Sequence, residues 1–84
     1  MYLHIGNDTV INTDELIGVF DIEKTSVSKN TKDFLRDAGK KGRVRYVSGE
    51  MPKSFAVCLD KDLNETVYVT NISAATIKKR IESL

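Results

Sequence analysis

The sequence predicts a single α+β domain, in which a small antiparallel-rich sheet is combined with two helices. Its 84 residues, 40% of them hydrophobic and 30% charged, suffice for one globular domain and no more. Six short segments have the residue pattern of strands. Two further segments carry a one-sided apolar stripe at helical spacing. The predicted order over residues 1–84 is therefore β-β-β-α-β-β-β-α.

The first two segments predict a hairpin. Residues 2–5 alternate between apolar and polar side chains, and residues 9–11 return in the same style. Between them, Gly6, Asn7 and Asp8 are typical turn residues.

The third segment, residues 16–22, is apolar at both alternating sets of positions. Such a run is typical of a strand that is covered on both faces. A domain of 84 residues with two helices has little material to cover both faces of a central strand. We therefore expect a second subunit to take part in covering it, which is a first indication of a homo-oligomer.

A helix follows at residues 28–38. Its apolar side chains fall on one side: Val27, Phe34, Leu35 and Ala38. Gly39 and Gly42 are suited to end this helix, because glycine adopts the left-handed conformation of a helix C-terminus. Lys40 and Lys41 fit the negative end of the helix dipole.

The remaining elements are three strands and a helix. Residues 43–47 alternate as a half-exposed strand, and residues 54–59 and 66–70 are predicted to pair as a hairpin. Ser73 is a favourable N-cap for the last helix, and Ile72 can pack on Ile77 as a hydrophobic staple. The apolar stripe of this helix consists of Ile77, Ile81 and Leu84.

Few residues have the pattern of a catalytic or metal site. His4 lies in an alternating strand without a partner motif, so a structural histidine is expected. Cys58 is expected to be a small buried side chain. Asp60 and Asp62 resemble the opening of a calcium loop, but the glycine and glutamate that such a loop requires are missing. We predict neither enzymatic activity nor a cofactor, a metal or a small-molecule substrate.

Composition also predicts where the protein acts. No apolar run approaches the roughly 18 residues of a membrane span, so no membrane association is expected. The N-terminal residues lack the basic and apolar regions of a signal peptide. The single cysteine cannot form an intramolecular disulfide. A cytoplasmic protein is therefore predicted.

Charge is unevenly distributed along the chain, although the net charge is only +1. Residues 1–23 contain five acidic residues and no lysine or arginine, whereas residues 24–53 contain nine basic and three acidic residues. A basic segment of this kind can attract an anionic partner such as duplex DNA by phosphate contacts and counterion release. The alternative is that these charges merely solvate a surface helix and loop. The candidate DNA-binding residues are Lys40, Lys41, Arg43, Arg45 and Lys53.

Several motifs together resemble one family of bacterial proteins. These motifs are Leu3-His4-Ile5-Gly6 followed by Val10-Ile11, residues 16–20, residues 49–57, and Thr76-Ile77-Lys78-Lys79-Arg80. In order and spacing they resemble the RemA/RemB family of regulators of extracellular matrix (biofilm) genes. Val19-Phe20-Asp21 and Gly49-Glu50-Met51-Pro52-Lys53-Ser54 are closer to its RemB branch. The resemblance covers nearly the whole chain.

The resemblance implies a ring-shaped homo-oligomer and, for the RemA branch, a DNA-binding transcriptional activator. The RemA pattern has arginines in the loop after the glycine that matches Gly49, and Lys53 matches a basic position there. The paired arginines correspond to Glu50 and Met51 in this chain, and a further basic position falls at Asp14-Glu15. Only Lys53 is therefore carried over.

Two functional hypotheses follow. The first is a cytoplasmic transcription regulator of matrix genes, which binds double-stranded DNA as a ring with a repeated basic patch. The second is an oligomeric protein-interaction module in the same pathway that does not contact DNA. The salt dependence of duplex binding separates them, since a scaffold without DNA contacts has none.

Overall fold

The computed structural model describes residues 1–22 and 29–84, and its element order is the predicted one. The elements are β1 (Tyr2–Gly6), β2 (Thr9–Asn12), β3 (Leu16–Asp21), α1 (Lys29–Lys40), β4 (Val44–Tyr46), β5 (Ser54–Leu59), β6 (Glu65–Thr70) and α2 (Ala74–Glu82), with a 3₁₀ turn at Thr13–Glu15. Val27 and Ser28, which the sequence assigns to the first helix, lie outside the described residues.

The strands form two sheets. β1 and β2 pair as the predicted antiparallel hairpin, and the other four strands form one sheet in the order β3-β5-β6-β4. β3 with β5 and β5 with β6 are antiparallel, whereas β4 runs parallel to β6. The antiparallel-rich α+β class is thus confirmed.

The four-stranded sheet has a different cover on each face. On one face, which we call the hairpin face, the β1–β2 hairpin and α2 pack on a core that includes Leu3, Ile5, Ala56 and Ile77. On the other, the α1 face, Ala38 packs on a second core. Because neighbouring residues of β5 point to opposite faces, this one strand contributes to both cores.

The placement of β3 differs from the sequence prediction. The expectation of a central strand covered on both faces was wrong, because β3 is an edge strand and β5 and β6 are central. Val19 is buried, but Ile17 is 60% and Phe20 40% exposed. The pairing register shifts between Leu16 and Gly18, so Ile17 is an extra residue that interrupts the alternation between faces.

The C-terminal helix, α2, begins after Ser73, as predicted. The Ser73 hydroxyl accepts a hydrogen bond from the Thr76 N–H at 3.2 Å. Ile72 and Ile77 belong to the same core, as the predicted staple requires. No helix within the described residues is long and apolar enough to cross a membrane.

Candidate nucleic-acid interface

The five basic residues that the sequence singles out are all exposed. Four of them lie where α1 ends and β4 begins, and the fifth lies just before β5. They are Lys40, Lys41, Arg43, Arg45 and Lys53.

The end of α1 is fixed by a glycine motif. Gly42 has a φ of 70°, its N–H donates to the Gly39 carbonyl at 3.1 Å, and the Arg43 N–H donates to the Ala38 carbonyl at 2.9 Å. These two bonds are the paired bonds of a Schellman motif, in which the left-handed residue turns the chain out of the helix. The prediction that these glycines end the helix is confirmed. The turn brings Lys40 to the start of β4.

The two arginines near β4 already have partners in the chain. Arg43 forms an ion pair with Glu65, with 4.0 Å between Nη1 and Oε1. Arg45 donates from Nη1 to the carbonyls of Gly42 at 2.8 Å and Val44 at 3.3 Å. Exposed ion pairs are weak, so these contacts orient the arginines without holding them rigidly.

Lys40 and Lys41 are in a different situation. Within the described part of the chain, their side chains have no hydrogen bond or ion pair. We call these two residues the lysine pair. Their ammonium groups therefore have no protein acceptor there that would compete with a phosphate.

Lys53 lies at the other end of the sheet. Its N–H donates to the Thr70 carbonyl at 2.9 Å, and its carbonyl accepts from the Ile22 N–H at 3.0 Å. Arg45 is paired with Tyr68 of β6, whereas Lys53 is level with the position three residues further along the chain. In addition, Arg45 lies on β4 and Lys53 precedes β5, so two inter-strand spacings separate them. At ordinary strand dimensions, the Cα atoms of Arg45 and Lys53 are about 14 Å apart. Lys53 is therefore set apart from the four basic residues near β4.

Acidic residues collect at the same end of the sheet as the lysine pair, towards the opposite, β3 edge. Grooves there are lined by Glu15, Asp60 and Asp62. The Asp60 carboxylate accepts the backbone N–H groups of Asn64 and Asp62 at 2.9 and 2.8 Å, and the Asn64 bond in particular lowers the pKa of Asp60. This carboxylate closes the β5–β6 turn, which agrees with the assignment to a hairpin loop. The described residues contain no group of three His, Cys, Asp or Glu that could hold a metal.

His4 is held by hydrogen bonds within the fold, and Cys58 lies in the core. His4 donates from Nε2 to the Asn7 carbonyl, and Arg80 donates to the His4 carbonyl at 3.1 Å and lies 3.4 Å from its Nδ1. Cys58 is buried, as predicted, and burial, together with the charge of Glu15, raises the pKa of its thiol to about 11. The thiol therefore stays protonated at neutral pH.

An apolar groove on the α1 face was not predicted from the sequence. This groove has a volume of about 230 Å³ and is lined by Ile22, Leu35, Val44, Tyr46, Pro52 and Val69. Tyr46 is 72% exposed at its rim. Four of the lining residues are apolar members of the predicted elements, but only the fold shows that they leave a space between them.

Comparison with known proteins gives the family. No family model matches the chain. Over 82 residues it is 34% identical to Extracellular matrix regulatory protein B of Bacillus subtilis (strain 168), a match that covers 98% of this chain and 91% of that protein. The chain belongs to the RemA/RemB family. The resemblance that the sequence motifs indicate is thus confirmed.

The loop of residues 48–53 is where the RemA/RemB resemblance implies DNA-contacting arginines. Glu50 and Met51 occupy those positions and are exposed, Met51 by 82%. The Glu50 N–H donates to the Ser48 hydroxyl at 3.0 Å, and the Glu50 carboxylate accepts from the Asn71 amide. In this member of the family, the loop therefore presents an oriented carboxylate and a thioether, with Lys53 as its one basic residue.

Proposed function

We propose that this protein regulates extracellular matrix genes by binding duplex DNA as a ring-shaped homo-oligomer, with the lysine pair of each subunit on the phosphates. The role in matrix regulation draws on the name of the Bacillus subtilis relative, which is a matrix regulatory protein. The observation that carries the DNA contact is the lysine pair, two adjacent exposed cations that lack an acceptor within the described residues.

Several copies are needed for useful affinity. Two lysines per subunit neutralise few phosphates, and such contacts give affinity without reading the base sequence. In a closed ring the same pair is repeated at a fixed spacing, so that binding of one subunit raises the effective concentration of the next. Repetition thus explains how a chain of 84 residues could act on DNA.

A second candidate function is an interaction module in the same pathway that does not bind DNA. The exposed Glu50 and Met51 favour it, because they stand where arginines are implied for the RemA branch. A loop with a carboxylate and an apolar side chain suits a protein partner better than a phosphate.

Duplex binding at several salt concentrations tests the first proposal. The double variant Lys40→Ala, Lys41→Ala is compared with the wild type by fluorescence anisotropy on a labelled duplex between 50 and 200 mM salt, about the range in which phosphate contacts change affinity most visibly. Each phosphate contact contributes about 0.9 to the slope of log K against log [salt], so two lost contacts should flatten it by about 1.8 per engaged subunit.

Two single variants serve as comparisons. Lys61→Ala removes another exposed lysine, which stands between Asp60 and Asp62, and we expect no change in the slope. Lys53→Ala tests the other end of the sheet, and we expect a smaller loss than with the lysine pair. A wild type that fails to bind any duplex at 50 mM salt would refute DNA binding and favour the interaction module.

A further inference from the structure

The four-stranded sheet has two open edges. Within the described residues, β3 pairs with no strand other than β5, and β4 with no strand other than β6. An edge strand of this kind presents unpaired backbone groups and can add a strand from another chain. At the β4 edge, one of these groups, the Val44 carbonyl, is covered by the Arg45 guanidinium.

The two edges carry opposite charges on the hairpin face. Asp14 and Glu15 lead into β3, and Glu15 shares a groove with Cys58 and Tyr68 on that face. Arg45 is in register with Tyr68 and is close enough to influence its pKa. If β4 met β4, or β3 met β3, like charges would face each other. Only a contact of β3 with β4 brings opposite charges together.

The α1 face of the same edges is apolar. Tyr46 is in register with Val69, Val69 with Phe55, and Phe55 with Phe20, so Tyr46 and Phe20 lie at the same level on opposite edges. Both rings are open to solvent, Tyr46 by 72% and Phe20 by 40%. Placed side by side, the two edges would bury both rings beside the groove on the α1 face.

The strand directions allow this contact to repeat. β3 and β6 are each antiparallel to β5, and β4 is parallel to β6, so β3 and β4 run in the same direction. A rotation about an axis along the strands therefore places β4 of one copy beside β3 of the next, in parallel. A contact between two different surfaces closes into a ring when the rotation divides a full turn.

We propose that the subunits associate head to tail through these edges, with β4 of each copy beside β3 of the next. This inference rests on the proposed homo-oligomer and names the surfaces that build it. In this contact, the Arg45 guanidinium leaves the Val44 carbonyl and pairs with the acidic residues that lead into the neighbour's β3. Tyr46 packs against the neighbour's Phe20. The lysine pair lies at the C-terminal end of α1, before β4 begins, and stays available to DNA.

Two variants, each with one edge blocked, test the proposal. Tyr46→Asp puts a charge into the apolar contact of Tyr46 with the neighbour's Phe20, and Ile17→Lys puts a positive charge on β3 against the basic β4 edge. Both positions are largely exposed, at 72% and 60%, so each chain should fold, as circular dichroism can verify. Leu63→Asp, at a 75% exposed position in the β5–β6 turn, is the matched control. Arg45→Glu is a second β4 variant if Tyr46→Asp does not fold.

Light scattering and native mass spectrometry give the outcome. The wild type and Leu63→Asp should have masses several times 9.4 kDa, and each edge variant alone should be monomeric. An equimolar mixture of the two edge variants should form complexes that contain both in a 1:1 ratio. Dimers of either variant alone, or edge variants with the wild-type mass, would overturn the edge assignment while the oligomer stands. A monomeric wild type would overturn the oligomer itself.

Discussion

The two faces of the four-stranded sheet differ in how completely their apolar side chains are buried. On the hairpin face, Leu3, Ile5 and Ile77 are at most 1% exposed. On the α1 face, Phe20 and Phe34 both stack near Phe55 but are still 40% and 36% exposed. The comparison indicates that the hairpin face provides most of the stability of the single chain, while the α1 face keeps apolar surface for contacts with other molecules.

The strongest test of this comparison is a charge in the closed core. Ile77→Asp buries an unpaired carboxylate at a position with 0% exposure, which costs several kcal/mol, comparable to the total stability of a small domain. We expect the variant to be unfolded at 25 °C by circular dichroism. Ile77→Val, the control, should cost only about 1 kcal/mol. An unchanged melting temperature for Ile77→Asp would show that α2 does not pack as described.

Truncations on the two faces should differ in cost. Leu3→Ala on the hairpin face should lower the free energy of unfolding by about 2–5 kcal/mol, as for other buried leucines. Phe34→Ala on the α1 face should cost less than about 1.5 kcal/mol, because its ring is partly in water and the cavity is open to solvent. Urea unfolding monitored by circular dichroism measures both. Equal costs would show that the two faces are equally closed.

Two glycines with positive φ make a smaller comparison. Gly6, with a φ of 136°, packs so closely that an added Cβ would lie 2.9 Å from Thr70 Oγ1. That hydroxyl donates to the Ile5 carbonyl at 2.6 Å and cannot move freely. Gly6→Ala should therefore cost about 2–3 kcal/mol. Gly42→Ala meets nothing within 4 Å, and we expect about 1 kcal/mol from its φ of 70° alone. Thermal unfolding of both variants measures the two costs. A larger loss of stability for Gly42→Ala than for Gly6→Ala would contradict the close packing around Gly6.

The last expected effect is confined to alkaline pH and concerns Cys58 in the closed core. Its thiol pKa is raised from 9.0 to about 11 in the folded chain, chiefly by burial. The unfolded chain therefore loses this proton first, so the stabilisation is complete below pH 9 and is lost as the pH rises towards 11. Urea midpoints between pH 8 and 11 should fall more for the wild type than for Cys58→Ala. Parallel curves for the two proteins would contradict a buried thiol.

Local signals in the sequence predicted the elements well. Gly42 ends α1 and Ser73 begins α2 because turn and cap preferences depend on a few neighbouring residues. The alternation of residues 54–59 and 66–70 predicted the β5–β6 hairpin, whose strands are adjacent in the chain. The exposure of the five basic residues was likewise predictable from their charge.

Properties that depend on distant pairing were not predictable. The sequence pattern of residues 16–22 indicated a central strand, but the bulge at Ile17 and the pairing order placed β3 at an edge. Lys53 was grouped with Arg43 and Arg45 because they are close in sequence. The parallel pairing of β4 with β6 separates them, since it places the arginines and Lys53 at different levels of the sheet.

By itself, the sequence determined the class of the fold, the order and ends of its elements, the burial of Cys58 and the family. These depend on local propensities and on residue patterns that the chain displays directly. The tertiary structure decided which strands lie at the edges, which basic residues share a surface and where the groove on the α1 face opens. Those features come from hydrogen-bonded pairing between strands far apart in the chain, and a pattern of single residues does not specify which strand pairs with which.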